Sequence, residues 1–187
     1  MRRTGMLLAV VLVVVASTSD LRAGTLAGVT LPDTAPVDGR TLVLNGLGLR
    51  TKFFVKVYIA GLYLEQKSSD ASAILKTDVP KRVVMHFVRG VSKSQISDGF
   101  NESFESNSPD AKKAVKAEID QFLDALESVN DGDEVVLTYL PATGTAVAIK
   151  GKEKVTIAAP AFAQMLFSVW LGPKPPNQDL KKGLLGF

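Results

Sequence analysis

The order of segments along the chain predicts an α+β fold, with an antiparallel sheet covered on one face by helices. Runs rich in β-branched and aromatic residues come first, two helical patterns follow, and more strand-like runs precede a last apolar helix. No internal repeat or low-complexity linker interrupts this order. The chain is therefore expected to fold as one domain, residues 24–187, which is long enough to bury a sizeable core.

The first 23 residues have the pattern of a secretory signal peptide. Two arginines near the start precede the apolar run 6–16, which is too short to span a bilayer comfortably. Small and polar residues follow, so we predict cleavage after Ala23, with cleavage after Ala16 as the second choice. An uncleaved anchor or core helix is the alternative. We expect an exported protein, periplasmic or secreted, with no membrane span once the leader is removed.

The composition excludes several classes of chemistry. The chain has no cysteine, so thiolate metal sites, iron–sulfur clusters and cysteine catalysis are excluded. His86 is the only histidine, which makes a zinc site built from several histidines impossible. The net charge is +3, and lysines and arginines are scattered among acidic residues, so no nucleic-acid footprint is visible. We expect no metal and no cofactor. Haem ligation by His86 alone is the open alternative to a core or edge histidine.

Strand-like segments are expected from β-branched and aromatic content and from the turn signals between them. Between the second and third of them lie Gly46 and Gly48, which lack the third glycine and the strand–helix crossover of a dinucleotide-binding fingerprint. We expect these glycines to permit a sharp turn or a bulge ahead of Arg50. The predicted strands are 26–31, 40–45, 53–64, 81–88, 134–140, 145–150 and 153–158.

Helix signals are clearest after the fourth strand. Ser92 and Gln95 form a capping box, and Ile96, Phe100 and Phe104 recur every four residues as an apolar stripe. The next helix is expected to open at a proline and to bury one continuous face along its whole length. The predicted helices are 70–76, 92–105, 108–129, 160–171 and 177–182.

Arg50 and Tyr58 are the residues that point to a ligand. An arginine beside an apolar strand is costly unless something negative meets it. A straight strand would hold the two residues about 26 Å apart, so the chain must turn between them if they act together. On strict alternation Tyr58 shares the more polar strand face with Lys56 and Ala60, where its phenol could hydrogen-bond a ligand. The alternatives are a solvated arginine and a half-buried tyrosine that packs against the helices.

Four segments together resemble the chalcone isomerase-like family, in its bacterial secreted branch. The likeness extends over nearly the whole mature chain in the right order, as a pattern rather than as a short catalytic motif. It implies an open-faced β-sandwich, in which a large antiparallel sheet is covered by a layer of helices with a ligand cleft between. The segments are NGLGLRTKFFVKVYIAGLYLE (45–65), KRVVMHFVRGVSKSQISDGFNESF (81–104), FSVWLGPKPPNQDLKKGLLG (167–186) and GVTLPDTAPVDGRTLVLNG (28–46).

The resemblance also implies site residues. Arg50 matches the arginine that steers the substrate phenolate in the plant enzyme, and Asn101 matches an asparagine of the first helix. Tyr58 replaces a threonine that helps to hold water at the substrate ketone. The other plant positions, a tyrosine and a lysine of the first helix and a late serine or threonine, fall at Ser94, Ser97 and Ser168 or Val169.

These replacements argue for binding rather than catalysis. The isomerase reaction needs the ketone to be polarised as well as the arginine to be placed, and the helix tyrosine and lysine are absent. An arginine with a tyrosine on these two elements is similar to the fatty-acid-binding branch of the family, in which they grip a carboxylate. A guanidinium fork matches the two carboxylate oxygens. The resemblance thus implies a non-catalytic protein whose ligand-binding residues are Arg50, Tyr58, Asn101, Ser94 and Ser168.

Two other functions stay open at this point. One is an intramolecular lyase that acts on an unsaturated phenolic substrate, with Arg50 as its catalytic residue. The other is a structural or interaction module whose cleft has collapsed. In either binding or catalysis, the partner would be a small amphipathic or phenolic ligand.

Overall fold

The structure of the protein is a computed structural model that describes residues 23–187. The predicted signal peptide therefore lies outside the described residues, apart from Ala23. The main sheet is curled and has seven antiparallel strands that lie side by side in chain order. The α+β prediction is confirmed. The strands of this sheet are β3 (Thr34–Val37), β4 (Arg40–Lys52), β5 (Val55–Leu64), β6 (Lys81–Phe87), β7 (Glu134–Leu140), β8 (Gly144–Ile149) and β9 (Lys152–Ile157).

A separate two-stranded hairpin precedes the sheet. Its strands are β1 (Ala23–Leu26) and β2 (Val29–Pro32), and they pair antiparallel. The prediction of a single strand over 26–31 is therefore wrong. The reason is the turn at Ala27 and Gly28, which both have positive φ and reverse the chain in the middle of that segment.

Helices cover one face of the sheet, which we call the inner face. The packed aromatic side chains between helices and sheet include Phe100, Phe104, Phe122, Phe162 and Trp170, all buried and in ring-to-ring contact. Among residues 23–187, no helix is both long and apolar enough to cross a membrane. The helices are α1 (Ala71–Lys76), α2 (Lys93–Asn107), α3 (Pro109–Ala114), α4 (Lys116–Ala125), α5 (Pro160–Leu171) and α6 (Gln178–Leu184).

The start of α2 follows the sequence signals, whereas the next predicted helix is interrupted. The Ser92 side chain accepts from the Gln95 backbone N–H and the Gln95 side chain accepts from the Ser92 N–H, so the predicted capping box is present. The single helix predicted over 108–129 is wrong. It is broken at Val115 into α3 and α4, and α4 ends at Ala125. The apolar positions beyond that end still reach the core, with Leu126 and Val129 buried.

The β4–β5 hairpin differs most from the sequence prediction. Gly46 and Gly48 lie inside β4 rather than at a turn, and the chain reverses at Phe53 and Phe54. These two residues have φ of 49° and 65°, as in the two-residue turns that usually carry Asn-Gly. Bulky residues in that region cost roughly 1–3 kcal/mol each. The predicted bulge does occur, because Asn45 is skipped in the pairing between β4 and β5.

The two glycines of β4 let α6 lie directly on the strand. A Cβ atom on Gly48 would stand 2.3 Å from the Leu180 carbonyl oxygen, and one on Gly46 would stand 2.1 Å from the Gly183 carbonyl oxygen. Any side chain at these positions would push α6 off the sheet. Gly46, Gly48 and Arg50 pair with residues of β5 whose side chains face the helices, so all three lie on the inner face.

Candidate functional site

An open cleft of about 680 Å³ lies between α2 and the sheet. One wall is the β4–β5 hairpin with β6, the other is α2, and the loop 172–177 contributes residues as well. The volume falls within the range of roughly 300–1,000 Å³ that small-molecule sites occupy. The cleft is therefore open, whereas the alternative of an interaction module expected a collapsed cleft.

Arg50 and Tyr58 are directly opposite each other in the β4–β5 pairing. Opposed residues in an antiparallel pair place their Cβ atoms about 4.5–5.5 Å apart on the same face. The turn at Phe53 and Phe54 brings them together, as the sequence argument required of any joint action. Both residues line the cleft.

Arg50 is held by backbone and amide oxygens instead of by a carboxylate. Its Nη1 donates to the Pro176 carbonyl oxygen at 3.0 Å, to the Asn177 Oδ1 at 2.9 Å and to the Thr51 carbonyl oxygen. Within residues 23–187, Arg50 forms no ion pair, and its Nη2 and Nε have no hydrogen-bond partner. The guanidinium is therefore positioned by the loop but keeps its charge and donors for an anion.

Tyr58 is buried on the same wall of the cleft. Its hydroxyl oxygen accepts a hydrogen bond from Trp170 Nε1 at 3.1 Å, and its ring packs against Phe87. Burial raises the pKa of the Tyr58 phenol, and the Trp170 hydrogen bond and the positive charge of Arg50 oppose that rise. The phenol thus stays neutral at physiological pH. Its own O–H remains free to donate to a ligand, because Trp170 uses only a lone pair of the oxygen.

The prediction that Tyr58 lies on a more polar strand face is wrong. The pairing skips Val57 on β5, which creates a bulge and breaks strict alternation, so Val57 and Tyr58 both reach the cleft. The residues beyond the bulge on the Tyr58 face are apolar and buried. The apolar side chains that line the cleft are Phe53, Val55, Val57, Met85, Phe87, Val91, Ile96, Phe100, Val169, Trp170, Pro175 and Pro176.

The other three predicted ligand-binding residues lie apart from Arg50 and Tyr58. Ser94 is exposed on α2 and contacts Asp98, and neither Ser94 nor Asn101 lines the cleft. Ser168 is buried and donates to the Met165 carbonyl oxygen, facing a smaller depression on the far side of α5. Of the two late positions, Val169 is the one that faces the cleft.

His86 is on the face of the sheet opposite to the cleft. It is partly exposed, and its Nδ1 is 3.0 Å from the Glu134 Oε1 on the neighbouring strand. Within residues 23–187, no group of three or more histidine, cysteine or acidic side chains is placed to hold a metal ion. His86 therefore lies on the central strand of the sheet, paired with Ile59 and Glu134, and is neither the core residue nor the edge residue that the sequence favoured.

Two residues that shape the site were not singled out from the sequence. Asn177 accepts from both Arg50 Nη1 and the Thr51 backbone N–H, so it fixes the arginine from the loop before α6. Trp170 lies in the segment 160–171, which the sequence predicts only as an apolar helix, although an indole N–H in an apolar position needs a partner. That unmet donor was the available signal that a polar group such as Tyr58 faces α5.

Comparison with known proteins agrees with this fold. The model of the chalcone isomerase-like family matches residues 23–186. Among solved structures, a fatty-acid binding protein of Arabidopsis thaliana is similar, with a TM-score of 0.68 and 14% sequence identity, over 88% of this chain and 96% of that one. No curated protein matches. The family match extends over all but the last of the described residues, and the chain therefore belongs to the chalcone isomerase-like family.

Proposed function

We propose that this protein binds a fatty acid or a similar amphipathic anion in the cleft, without catalysing a reaction on it. Arg50 and Tyr58 hold the anionic head group, and the apolar side chains of the cleft hold the alkyl chain. The function class rests on the site and not on the fold alone, because one fold can carry several functions.

The observation that carries the proposal is the pairing, on one wall of the cleft, of a neutral phenol with a guanidinium that forms no ion pair within residues 23–187. A carboxylate has two oxygens, and Arg50 has unused donors for both. The Tyr58 O–H adds a third donor. The cleft walls also carry many aliphatic and aromatic side chains, which suit a hydrocarbon tail, alongside charged and polar residues such as Arg89, Gln95 and Glu102.

The similar solved structure adds independent support for this ligand class. That Arabidopsis thaliana protein is described as a fatty-acid binding protein, and its fold overlaps almost its whole length with this chain. We extend its ligand class to this chain because the cleft and the pair of donors provide the chemistry that such a ligand requires.

Titration of delipidated protein with palmitate tests the proposal. Replacing Arg50 by Gln keeps a donor for the loop carbonyls and removes the charge, and it should weaken binding by about tenfold or more. The palmitate affinity of Arg50→Lys should lie between those of the parent and Arg50→Gln, because an ammonium keeps the charge but lacks the planar fork. Asn101→Ala and Ser94→Ala are matched controls outside the cleft and should bind like the parent. Equal affinity of parent and Arg50→Gln would overturn the proposal.

The intramolecular lyase remains a second candidate, for one specific reason. Arg50 and the neutral Tyr58 also provide a cation for a phenolate and a donor for a ketone oxygen, which a chalcone-like substrate needs. Turnover of a chalcone above the spontaneous rate, lost in Arg50→Gln, would favour it. We expect no such turnover.

We also propose that the protein is exported, to the periplasm or beyond the cell. The support is the basic start and apolar run 6–16 of the sequence, ahead of the family match that begins at residue 23. Mass determination of the protein recovered from a periplasmic fraction would test both export and the cleavage position.

A further inference from the structure

The tip of the β4–β5 hairpin, Lys52–Lys56, is an exposed apolar projection. Phe53 and Phe54 expose 85% and 103% of their reference surface, and Val55 exposes 42%. Of the four large apolar side chains exposed within residues 23–187, these three are consecutive, and the fourth is Phe187 near the chain end. Scattered apolar residues on a surface are ordinary, but three in a row at a projecting turn are not.

The backbone of the tip makes its sequence harder to explain by folding. Both phenylalanines sit at positive φ in a two-residue turn, where Asn-Gly is the favoured pair. Neither ring packs onto the body of the protein, so burial does not compensate for the conformation. Because this unfavourable pair does not stabilise the folded chain, it points to a contact with something other than the protein itself.

The charges around the tip favour an anionic surface. Lys52 and Lys56 flank the two phenylalanines, are exposed, and form no ion pair within residues 23–187. Arg89 and Lys174, which line the same cleft, are also exposed and without an ion pair in that range. Acidic residues of the cleft are confined to the α2 wall, at Asp98 and Glu102.

We propose that this tip inserts into an anionic lipid surface, with the two phenylalanines in the acyl boundary and the two lysines at the headgroups. Aromatic residues next to lysines are the combination that holds protein segments at such an interface. Lys52, Phe53 and Val55 also line the cleft, so docking through the tip would set the cleft mouth against the bilayer. The proposal goes beyond ligand binding and does not depend on what the cleft holds.

A second copy of the chain is a poorer occupant for the tip. A stable dimer buries about 1,200–2,000 Å² in total, far more than two side chains at a hairpin turn can supply. A two-fold contact through the tip would also bring the lysines of one copy close to those of the other, with no acidic partner on the tip itself.

Vesicle sedimentation tests the proposal. The full protein is mixed with phosphatidylcholine vesicles that contain about 25% phosphatidylglycerol, and with vesicles of pure phosphatidylcholine. We expect binding to the anionic vesicles, weakened about tenfold or more in Phe53→Asn/Phe54→Gly. That variant carries the pair preferred in this turn, so it should fold at least as well as the parent. Phe187→Ser removes an exposed phenylalanine elsewhere and should bind like the parent.

Two further measurements make the result specific. Lys52→Gln/Lys56→Gln should reduce binding to anionic vesicles, so that the protein binds the two kinds of vesicle more equally. In a Phe54→Trp variant, emission should shift to shorter wavelength with vesicles, whereas the buried Trp170 should not respond. Absence of vesicle binding by the parent, equal binding by Phe53→Asn/Phe54→Gly, or a dimer that this variant dissociates would each overturn the proposal.

Discussion

Trp170 Nε1 on α5 donates a hydrogen bond to the hydroxyl of Tyr58 on β5, over 3.1 Å and inside the buried core. This contact ties the helical layer to the wall of the cleft at the point where Arg50 faces Tyr58. It satisfies the indole and orients the phenol, yet it leaves the phenol proton unused. The same hydrogen bond therefore stabilises the fold and leaves the Tyr58 O–H available to donate to the proposed ligand.

Replacing Tyr58 by Phe should reduce both stability and ligand affinity. The change leaves the buried Trp170 N–H without a partner, which should cost about 1–3 kcal/mol of unfolding free energy in a denaturant titration. Palmitate affinity should also fall, because one donor to the carboxylate is lost. Tyr63→Phe is the matched control, since Tyr63 donates to the Pro32 carbonyl on the outer face and should affect stability alone. Unchanged palmitate affinity in Tyr58→Phe would remove the phenol from the proposed site.

Gly48→Ala should destabilise the protein because the new methyl group would meet the Leu180 carbonyl of α6. We expect a loss of about 1–3 kcal/mol, typical of overpacking, measured by urea unfolding. Gly99→Ala on α2 is the control, since nothing lies within 4 Å of its Cβ position. That change should stabilise by about 0.5–1 kcal/mol, as alanine does in a helix. A neutral Gly48→Ala would mean that α6 does not lie against β4 as described.

Stability should fall between about pH 10 and pH 12. Burial raises the pKa of Tyr63 to about 12, and burial with the Asp78 hydrogen bond raises that of Tyr139 to about 12. Because both folded pKa values exceed the unfolded value near 10, the stability they contribute is complete below pH 10 and lost as the pH rises. Lys81 has the opposite effect on stability, because burial lowers its pKa. The stability that its deprotonation adds as the pH rises is complete near the ordinary lysine pKa of about 10.5.

Melting temperatures at pH 9 and near pH 12 would measure this loss. Tyr63→Phe should melt lower at pH 9, because it lacks the Pro32 hydrogen bond, and should lose less on the way to alkaline pH. The decisive quantity is the drop in melting temperature between the two pH values, rather than the melting temperature at either pH alone. If the melting temperature of Tyr63→Phe fell as much as that of the parent, Tyr63 would not be a source of the alkaline loss of stability.

Ligand affinity should be level at neutral pH and fall below about pH 5. The carboxyl group of the ligand titrates near 4–5 and loses its charge as the pH drops, which removes the attraction to the guanidinium. The raised pKa of Tyr58 keeps its donor proton in place through neutral and mildly alkaline pH. Palmitate titrations at several pH values would check this, with Arg50→Gln as a control that should show a smaller drop. Affinity that rises as the pH falls would indicate binding of the neutral acid.

Much of the fold could be predicted from local patterns. The capping box at Ser92 and the apolar stripe of α2 are set by contacts within a few residues, so the sequence displays them directly. At Gly46 and Gly48 the predicted bulge is present, but the packing reason for the two glycines is not local. They admit the backbone of α6, which lies more than 130 residues away along the chain. The break at Val115 and the bulge at Val57 likewise have no clear local signal.

By itself, the sequence determined the family, the α+β class, and that Arg50 and Tyr58 are unusual for their strand. Periodicity, caps and residue chemistry carry that information, since each depends on near neighbours. Only the tertiary structure decided that the two side chains face one cleft, that Ser94, Asn101 and Ser168 do not, and that Phe53 and Phe54 project into solvent. These outcomes depend on strand register, bulges and the docking of α5 and α6, which are fixed by contacts between residues far apart in the chain.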